Sequence, residues 1–332
     1  KQNLKNVLNE LYNEWNYHMK PLIILTGPTA VGKTELSIAL AKSIGGEIIS
    51  ADSMQVYKYM DIGTAKIRSE EMDGVPHHLI DILEPDVAFN VAMFKDLAKS
   101  SVEDIYSRGR IPILVGGTGF YIQALLYDID FSEEDSDSSI RKELETLVEI
   151  KGAAFLHEKL REVDPESAEQ IHANNVKRVI RALEYYQLHG EKISTHNETE
   201  RHKESPYDFL YFVLTHDRQV LYERIEKRID QMIDHGLISE VDNLLKKGYD
   251  SSLVSMQGLG YKELIPYLQK KCTLDEAIYV LKRDTRHFAK RQLTWFRRER
   301  NVRWLDKSLV SSDEEILKEI LNTIDREWSL QK

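Results

Sequence analysis

The loop GPTAVGKT, Gly27–Thr34, constrains the fold of this chain more than any other feature. It matches the pattern G-x-x-x-x-G-K-[ST], in which backbone N–H groups and a helix N-terminus hold a diphosphate. The apolar run PLIILT precedes it, and apolar residues at helical spacing follow it. In this strand–loop–helix context the motif predicts a phosphate loop.

Every residue of the loop is a candidate diphosphate contact: Gly27, Pro28, Thr29, Ala30, Val31, Gly32, Lys33 and Thr34. Lys33 is predicted to place its charge on the phosphate oxygens, and Thr34 to bind Mg²⁺ through its hydroxyl. Nucleotide triphosphatases usually add an Asp at the end of another apolar strand. The strand IPILV instead leads into Gly116–Gly119, which suggests either backbone close to a ligand or a tight turn.

The fold class follows from alternating strands and helices. EIISAD and IPILVGG read as buried strands, and the long connections between strands predict a parallel sheet. The expected fold is an α/β P-loop core with a helical insertion and a helical C-terminal region. We predict an N-terminal extension at 1–18, a catalytic core at 19–130 and 206–332, and a helical insertion domain at 131–205.

Charge is unevenly distributed along the chain. The formal net charge is −10, yet Arg283–Arg303 holds eight Lys/Arg against two acids, a local net of +6. Such a segment favours contact with a nucleic-acid backbone. One cysteine and no apolar run near ~18 residues favour a cytoplasmic protein that does not cross a membrane, and we expect a monomer.

Several polar residues could serve the loop. Asp52 follows the second strand, where it could cap a turn, act as a general base or support Mg²⁺. Of Arg218, Arg224 and Arg228, one could face the phosphates, although a solvated charged face explains them equally well. The pair His77-His78 fits no metal pattern and favours a structural role.

Eight motifs together closely resemble the bacterial tRNA dimethylallyltransferases, also called isopentenyl-diphosphate:tRNA transferases. They run in the family's order from about Lys20 to Trp304: GPTAVGKT, SADSMQVYKYMDIGTAK, PHHLIDI, PILVGGTGFYIQALL, RVIRALE, RIEKRIDQMI, MQGLGYKE and TRHFAKRQLTWFRRE. The resemblance implies transfer of a dimethylallyl group from dimethylallyl diphosphate to the exocyclic N6 amine of the adenosine just 3′ of the anticodon. The loop would then hold the diphosphate of a prenyl donor.

The resemblance also implies roles for single residues. Asp52 matches the family's base, Arg228 its catalytic arginine, Thr118 a contact of the target adenosine, and Lys33 the lysine of the phosphate loop. Ser53, Met54 and Gln55 match the lining of a channel between core and insertion, into which the target base turns. The remaining matched tRNA contacts are Arg141, Lys177, Arg178, Arg181, Gln257, Gly260, Tyr261, Lys262, Lys290, Arg291, Gln292, Trp295 and Arg297.

Three other functions compete with tRNA prenylation. Relatives that prenylate free adenine nucleotides share the loop and the Asp, but they would not need the insertion or the basic segment. A P-loop small-molecule kinase would bind ATP and transfer a phosphoryl group. A non-catalytic RNA-binding module is disfavoured by an intact phosphate loop with a carboxylate opposite it.

Overall fold

The computed structural model describes residues 20–130, 138–201 and 203–329. The predicted extension at 1–18 lies outside the described residues. Two compact units are present. Leu126–Pro206 forms one unit, and the chain on both sides of it forms the other.

The larger unit contains a six-stranded sheet. Its strands are β1 Pro21–Thr26, β2 Glu47–Ala51, β3 His77–His78, β4 Pro112–Gly116, β5 Asp208–Thr215 and β6 Val302–Asp306. They lie in the order β3-β2-β4-β1-β5-β6, and every neighbouring pair is parallel. All six residues of β1 are buried, as a strand covered on both faces requires.

Helices follow the strands of the larger unit. They are α1 Lys33–Ile44, α2 Val91–Ser107, α3 Gly119–Leu126, α9 Arg218–Asp234, α10 Leu237–Lys246, α11 Ile265–Leu268, α12 Leu274–Phe296 and α13 Asp313–Ser329. Short 3₁₀ helices lie at Ser255–Gln257 and Lys307–Leu309. The helix α1 ends at Gly45, whose left-handed backbone suits glycine, and the Asp217 side chain caps the N-terminus of α9.

The smaller unit is helical throughout its described residues. Its helices are α4 Ser138–Lys151, α5 Ala153–Val163, α6 Pro165–Gln170, α7 Val176–His189 and α8 Ile193–Arg201. Leu144, Leu156, Leu160 and Leu183 form the centre of its apolar core. The Asp164 carboxylate accepts hydrogen bonds from the backbone N–H and the hydroxyl of both Ser167 and Ser194. It thereby joins the start of α6 to the start of α8.

The phosphate loop lies at the middle of the sheet. β1 pairs with β4 on one side and with β5 on the other, while the chain runs from β1 to β2 beyond β4. A parallel sheet opens a crevice outside its carboxyl ends where the strand order reverses. The fold therefore places the loop after β1, Asp52 after β2 and Thr118 after β4 along one edge. Among the described residues, no helix combines the length and the apolar character needed to cross a membrane.

The two histidines of β3 lie toward the amino end of the sheet, where they pair in register with Ile48 and Ile49. His78 Nε2 contacts Glu47 Oε2 at 2.8 Å, and Arg108 donates to both oxygens of the same carboxylate at 2.7 and 3.1 Å. His77 Nδ1 contacts the Val75 carbonyl. The structural interpretation of this pair is confirmed.

A stability prediction follows from Glu47, whose side chain is only 2% exposed. Burial favours its neutral form, but the hydrogen bonds from Arg108 and His78 outweigh burial and lower the pKa below its ordinary value of 4.5. Because solvent reaches Arg108, we expect Glu47→Gln to lower the free energy of unfolding by about 1–2 kcal/mol at pH 7.

The difference between variant and parent should persist above pH 4.5 and shrink as the pH falls through the lowered pKa of Glu47. Urea unfolding across this pH range measures it. The control is Glu103→Gln, which removes an exposed ion pair with Lys20 and should cost less than about 0.5 kcal/mol. Equal costs for the two variants would contradict the prediction.

Candidate active site

The phosphate loop is held in shape by its neighbours. Gly27 and Gly32 have φ values of 148° and 91°, which suit glycine, and a Cβ at Gly27 would lie 2.5 Å from the Leu214 carbonyl oxygen. The Thr29 N–H donates to Gln292 Oε1 at 2.9 Å. Lys33 Nζ donates to the carbonyls of Gly27 and Pro28 at 2.9 and 2.8 Å. The loop is therefore preformed, with its lysine drawn in against its own backbone.

Lys33 is poorly stabilised as a cation in this arrangement. Burial first, and then the positive charge of Arg228, lower its pKa from 10.5 to about 7, while Asp52 acts in the opposite direction. A bound anion would restore the protonated form. The site is thus built to receive negative charge.

Arg228 of α9 reaches the loop at Thr29. Its Nη1 donates to Thr29 Oγ1 at 3.4 Å. Burial lowers its pKa, and the Asp52 carboxylate opposes that shift. Arg218 instead lies over the ring of Tyr222. The helix therefore presents one arginine to this side of the loop, as one of the two interpretations of its sequence expects.

Asp52 caps a turn and faces the site at the same time. Its Oδ1 accepts hydrogen bonds from the N–H groups of Met54 and Gln55 at 2.8 and 3.3 Å. Its Oδ2 has no hydrogen bond to the residues the structure describes. The carboxylate is close enough to Lys33 and Arg228 to shift the pKa of both. One oxygen is fixed by the backbone, and the other is available to a substrate.

A cavity of about 330 Å³ lies beside the loop. It brings together these predicted site residues: Thr29, Ala30, Asp52, Ser53, Met54, Thr118, Arg228, Gln257, Gly260, Lys262 and Arg291. Its apolar wall, which the motifs do not indicate, is formed by Ile225, Ile229 and Met232 of α9 and by Leu281 and Phe288 of α12. The spacing of Ile225, Ile229 and Met232 around Arg228 is the signal that marks this face.

The glycines after β4 serve packing rather than ligand approach. A Cβ at Gly116 would lie 2.3 Å from the Ala51 carbonyl oxygen, one at Gly117 2.2 Å from Gln292 Nε2, and one at Gly119 2.2 Å from the Trp295 ring. These contacts support the tight turn, which is the second of the two interpretations of this sequence. Thr118 between them does line the cavity, and its Oγ1 accepts from the Ser53 N–H at 3.3 Å.

Two expected tRNA contacts have buried side chains. Tyr261 is 0% exposed, and its hydroxyl donates to Glu240 Oε1 at 2.7 Å. Gln292 is 6% exposed, and its Nε2 donates to the Gly117 carbonyl at 3.0 Å. A direct side-chain contact with RNA is corrected to a supporting role for both, because their polar atoms are already bonded within the protein. Gln55 lies outside the cavity and donates to the carbonyls of Thr64 and Ala65.

The basic helix α12 divides into two parts. Arg283 pairs with Asp284, and Arg286 pairs with Glu226. Farther along, Lys290, Arg291 and Arg297 are exposed and form no ion pair with the residues described. Its apolar residues also differ in their surroundings. Leu281 and Phe296 are buried, whereas Phe288 lines the cavity and Trp295 lines a surface groove with Lys290 and Arg291.

The smaller unit carries the other four expected tRNA contacts. Lys177 and Arg178 are exposed at the start of α7. Arg141 and Arg181 lie near the buried carboxylate of Glu184, to which Arg141 donates. Glu184 therefore positions Arg141 while leaving part of its guanidinium exposed.

A metal ion would find few protein ligands here. Within the described residues, no cluster of three or more His, Cys, Asp or Glu side chains is arranged to hold a metal. The Thr34 hydroxyl is exposed at the start of α1, and Asp52 supplies a carboxylate. Mg²⁺ often takes one or two protein oxygens and completes its shell with substrate phosphates and water. The donor set fits Mg²⁺ only together with a bound diphosphate.

Comparison with known proteins decides the family. The family model described as IPP transferase matches residues 55–299. The chain belongs to this family. A tRNA dimethylallyltransferase of Lachnoclostridium phytofermentans is 63% identical to this IPP transferase over 306 residues, 92% of this chain and 98% of that protein. One from Acetivibrio thermocellus is 51% identical over 302 residues, 91% and 96% of the two chains.

Solved structures agree with this assignment. The crystal structure of the full-length tRNA isopentenylpyrophosphate transferase of Bacillus halodurans matches with a TM-score of 0.71 and 48% identity, covering 93% of this chain and 97% of that one. A eukaryotic dimethylallyltransferase acting on tRNA matches with a TM-score of 0.80 and 29% identity, covering 94% and 80%. The predicted α/β class with a P-loop parallel-sheet core is confirmed.

The pKa of Lys33 predicts that diphosphate binding takes up a proton. At pH 8 most Lys33 side chains are neutral, and a bound diphosphate should return them to the charged form. Titration calorimetry of inorganic pyrophosphate in two buffers of different ionisation enthalpy measures the protons taken up. The control is Lys33→Arg, whose guanidinium stays charged. Any proton that pyrophosphate itself gains or loses is common to both proteins and cancels in the comparison. The parent should take up about one more proton than this control. Equal uptake by both proteins would contradict a lowered Lys33 pKa.

Proposed function

We propose that this IPP transferase moves the dimethylallyl group of dimethylallyl diphosphate to the N6 amine of the adenosine 3′-adjacent to the anticodon in tRNA, releasing diphosphate. One observation carries the proposal. A carboxylate, a buried arginine and a preformed phosphate loop open into one cavity whose other wall is apolar. Anionic and apolar parts of one donor would each find a matching surface there. The relatives named for this reaction support the same activity.

The chemistry requires a stabilised leaving group and a base. The amine nitrogen attacks C1 of the donor, the C1–O bond breaks, and its electron pair leaves with the diphosphate. Lys33, Arg228 and the loop N–H groups stabilise the charge on that leaving group. The proton released from the amine passes to the free Oδ2 of Asp52. An exocyclic adenine amine is a weak nucleophile, so both contributions matter.

We propose that Thr34 would hold Mg²⁺ together with the diphosphate, through its hydroxyl. The ion would add positive charge to the departing phosphates. Asp52 is kept for the amine proton. This assignment rests on the donor set described above.

The acceptor base must leave the stack of the anticodon loop to reach Asp52. Thr118, Ser53 and Met54 line the cavity beside the carboxylate and would orient the turned-out adenine. Lys262, Gln257 and Gly260 line the same cavity and would contact the neighbouring nucleotides. Exclusion of water by these contacts protects the reactive donor carbon from hydrolysis.

We propose that two basic surfaces hold the rest of the anticodon stem-loop. One is formed by Lys290, Arg291 and Arg297, and the other by Lys177, Arg178, Arg181 and Arg141 of the helical insertion. Exposed cations of both surfaces would gain from contact with phosphates, and Lys290, Arg291 and Arg297 form no ion pair with the residues described. Since tRNA is the acceptor, we place the reaction in the cytoplasm. The expectation of a monomer stays a prediction.

A labelling assay tests the function against its rivals. The protein is incubated with labelled dimethylallyl diphosphate and either tRNA or AMP, and γ-labelled ATP is tested separately. Label in tRNA alone supports the proposal. Label in AMP alone would assign the enzyme to free-nucleotide prenylation, and phosphoryl transfer from ATP would make it a kinase. Binding of tRNA without any transfer would leave an RNA-binding module.

Replacement of Asp52 separates catalysis from binding. Asp52→Asn keeps the turn-capping oxygen but cannot accept the amine proton, and removal of a general base costs about 10²- to 10⁴-fold. We expect single-turnover transfer to fall by this factor, while tRNA and donor affinities stay within a few-fold. Transfer at the parental rate would place the base elsewhere. Loss of Mg²⁺-dependent donor binding would assign Asp52 to the metal.

The exposed part of α12 should account for part of the salt dependence of tRNA binding. Changing Lys290, Arg291 and Arg297 to Gln should lower affinity and reduce the log–log salt slope by roughly 0.7–0.9 for each phosphate that the helix no longer neutralises. Changing Arg283 and Arg286 to Gln is the matched control, because internal carboxylates already neutralise these side chains. Similar slopes for both variants would argue against a phosphate track at the exposed end.

A further inference from the structure

Two cationic side chains lie where a side chain on Gly32 would project. Gly32 is the last glycine of the phosphate loop and directly precedes Lys33. A Cβ at Gly32 would lie 2.7 Å from Lys307 Nζ and 4.0 Å from Arg224 Nη1, and among the described residues only its own chain neighbours could also lie within 4 Å. Residues distant in sequence thus converge on one backbone position of the diphosphate site.

Lys307 is nearly buried at this point. It begins the 3₁₀ helix that follows β6, and its side chain is 6% exposed. Its ammonium pairs with the Asp313 carboxylate at 2.6 Å. Because a buried lysine loses hydration, its position over the loop requires this partner. Asp313 therefore holds the cation in place beside Gly32.

Arg224 approaches from a different element. It lies on α9, four residues before Arg228, so the two arginines project from the same side of the helix. Unlike Arg228, it is exposed and has no hydrogen bond or ion pair with any residue the structure describes. Lys307 and Arg224 repel each other unless an anion lies between them.

His216 lies close to both of these cations. It follows β5 directly, and its pKa is lowered by burial first and then by Arg224 and Lys307. Asp306 and Asp217 oppose this shift but do not reverse it. Arg224 and Lys307 both lie close enough to His216 to act on its pKa, and an anion bound between the two cations would offset their repulsion.

We propose that Lys307 and Arg224 form a subsite for the terminal phosphate of the donor diphosphate, while Arg228 contacts the phosphate bonded to the prenyl group. This inference rests on the proposed function for the identity of the donor. The spacing of Arg224 and Arg228 by one helical turn supplies one cation to each phosphate. The pair makes the site selective for a diphosphate over a monophosphate, and it adds charge stabilisation to the departing pyrophosphate.

Calorimetric binding of two probes tests the subsite. Inorganic pyrophosphate occupies both phosphate positions, whereas inorganic phosphate fills one. Arg224→Met and Lys307→Met should each weaken pyrophosphate binding by roughly tenfold or more, because each removes a charged hydrogen bond. Inorganic phosphate should change less than about threefold. Arg218→Met is the matched control, since Arg218 lies on the same helix but over Tyr222, and it should bind both probes like the parent.

Two results would overturn the subsite. Pyrophosphate affinity that is unchanged in both variants places the cations away from the ligand. Equal reductions in affinity for pyrophosphate and phosphate mean that the cations act on the loop as a whole. Since Lys307→Met leaves Asp313 unpaired, the double variant Lys307→Met/Asp313→Asn is measured too, with a thermal melt. The same selective reduction in the double variant supports the proposal, and recovery of parental affinity refutes it.

The proposed function can fail separately from this subsite. Prenyl transfer to tRNA with no effect of either variant on pyrophosphate binding keeps the function and removes the subsite. Selective weakening of pyrophosphate binding without any prenyl transfer keeps the subsite and removes the function.

Discussion

The Gln292 side chain makes the contacts on which the rest of the active site depends. Its Oε1 accepts from the Thr29 N–H of the phosphate loop, and its Nε2 donates to the Gly117 carbonyl after β4. One buried amide thus joins α12, the loop and the turn that carries Thr118. A buried amide with both ends bonded is rigid and specific, because either end left unpaired would cost about 1–3 kcal/mol. The glycines at 117 and 119 make this join possible, since any side chain there would strike α12.

A second set of hydrogen bonds, to Glu240, positions the opposite wall of the cavity. The Glu240 carboxylate accepts from three successive backbone N–H groups, at Asp61, Ile62 and Gly63, and from the Tyr261 hydroxyl. Gly63 also packs directly on the Tyr261 ring. Since α10 follows α9, this anchor connects the loop at residues 60–64 to the element that carries Arg228. The Gln292 and Glu240 contacts together position the residues that line the cavity on two sides.

The sequence predicted the parts of the site that depend on local pattern. The phosphate loop and the strands β1, β2 and β4 all follow from motifs or periodicity within a short window. It did not predict β6, whose sequence VRWLD mixes charged and apolar residues, or β3, which has only two residues. Tyr261 and Gln292 were assigned to RNA because motif matching cannot separate a residue that touches the ligand from one that supports it. Lys307 was missed for a related reason, since only the folded chain brings it to Gly32.

The negative charge of the proposed diphosphate explains why several cations lie together here with few protein carboxylates to neutralise them. Lys33 and Arg228 lose hydration on folding, and their lowered pKa values show that the free enzyme holds them at a cost. The cost is reduced when a diphosphate arrives, so donor binding and protonation of Lys33 favour each other. The same reasoning extends to release. In the proposed reaction the pyrophosphate left behind carries more charge than the donor did, so we expect the site to bind it more tightly. We then expect departure of pyrophosphate past Lys33 and Arg228 to limit turnover when prenyl transfer itself is fast.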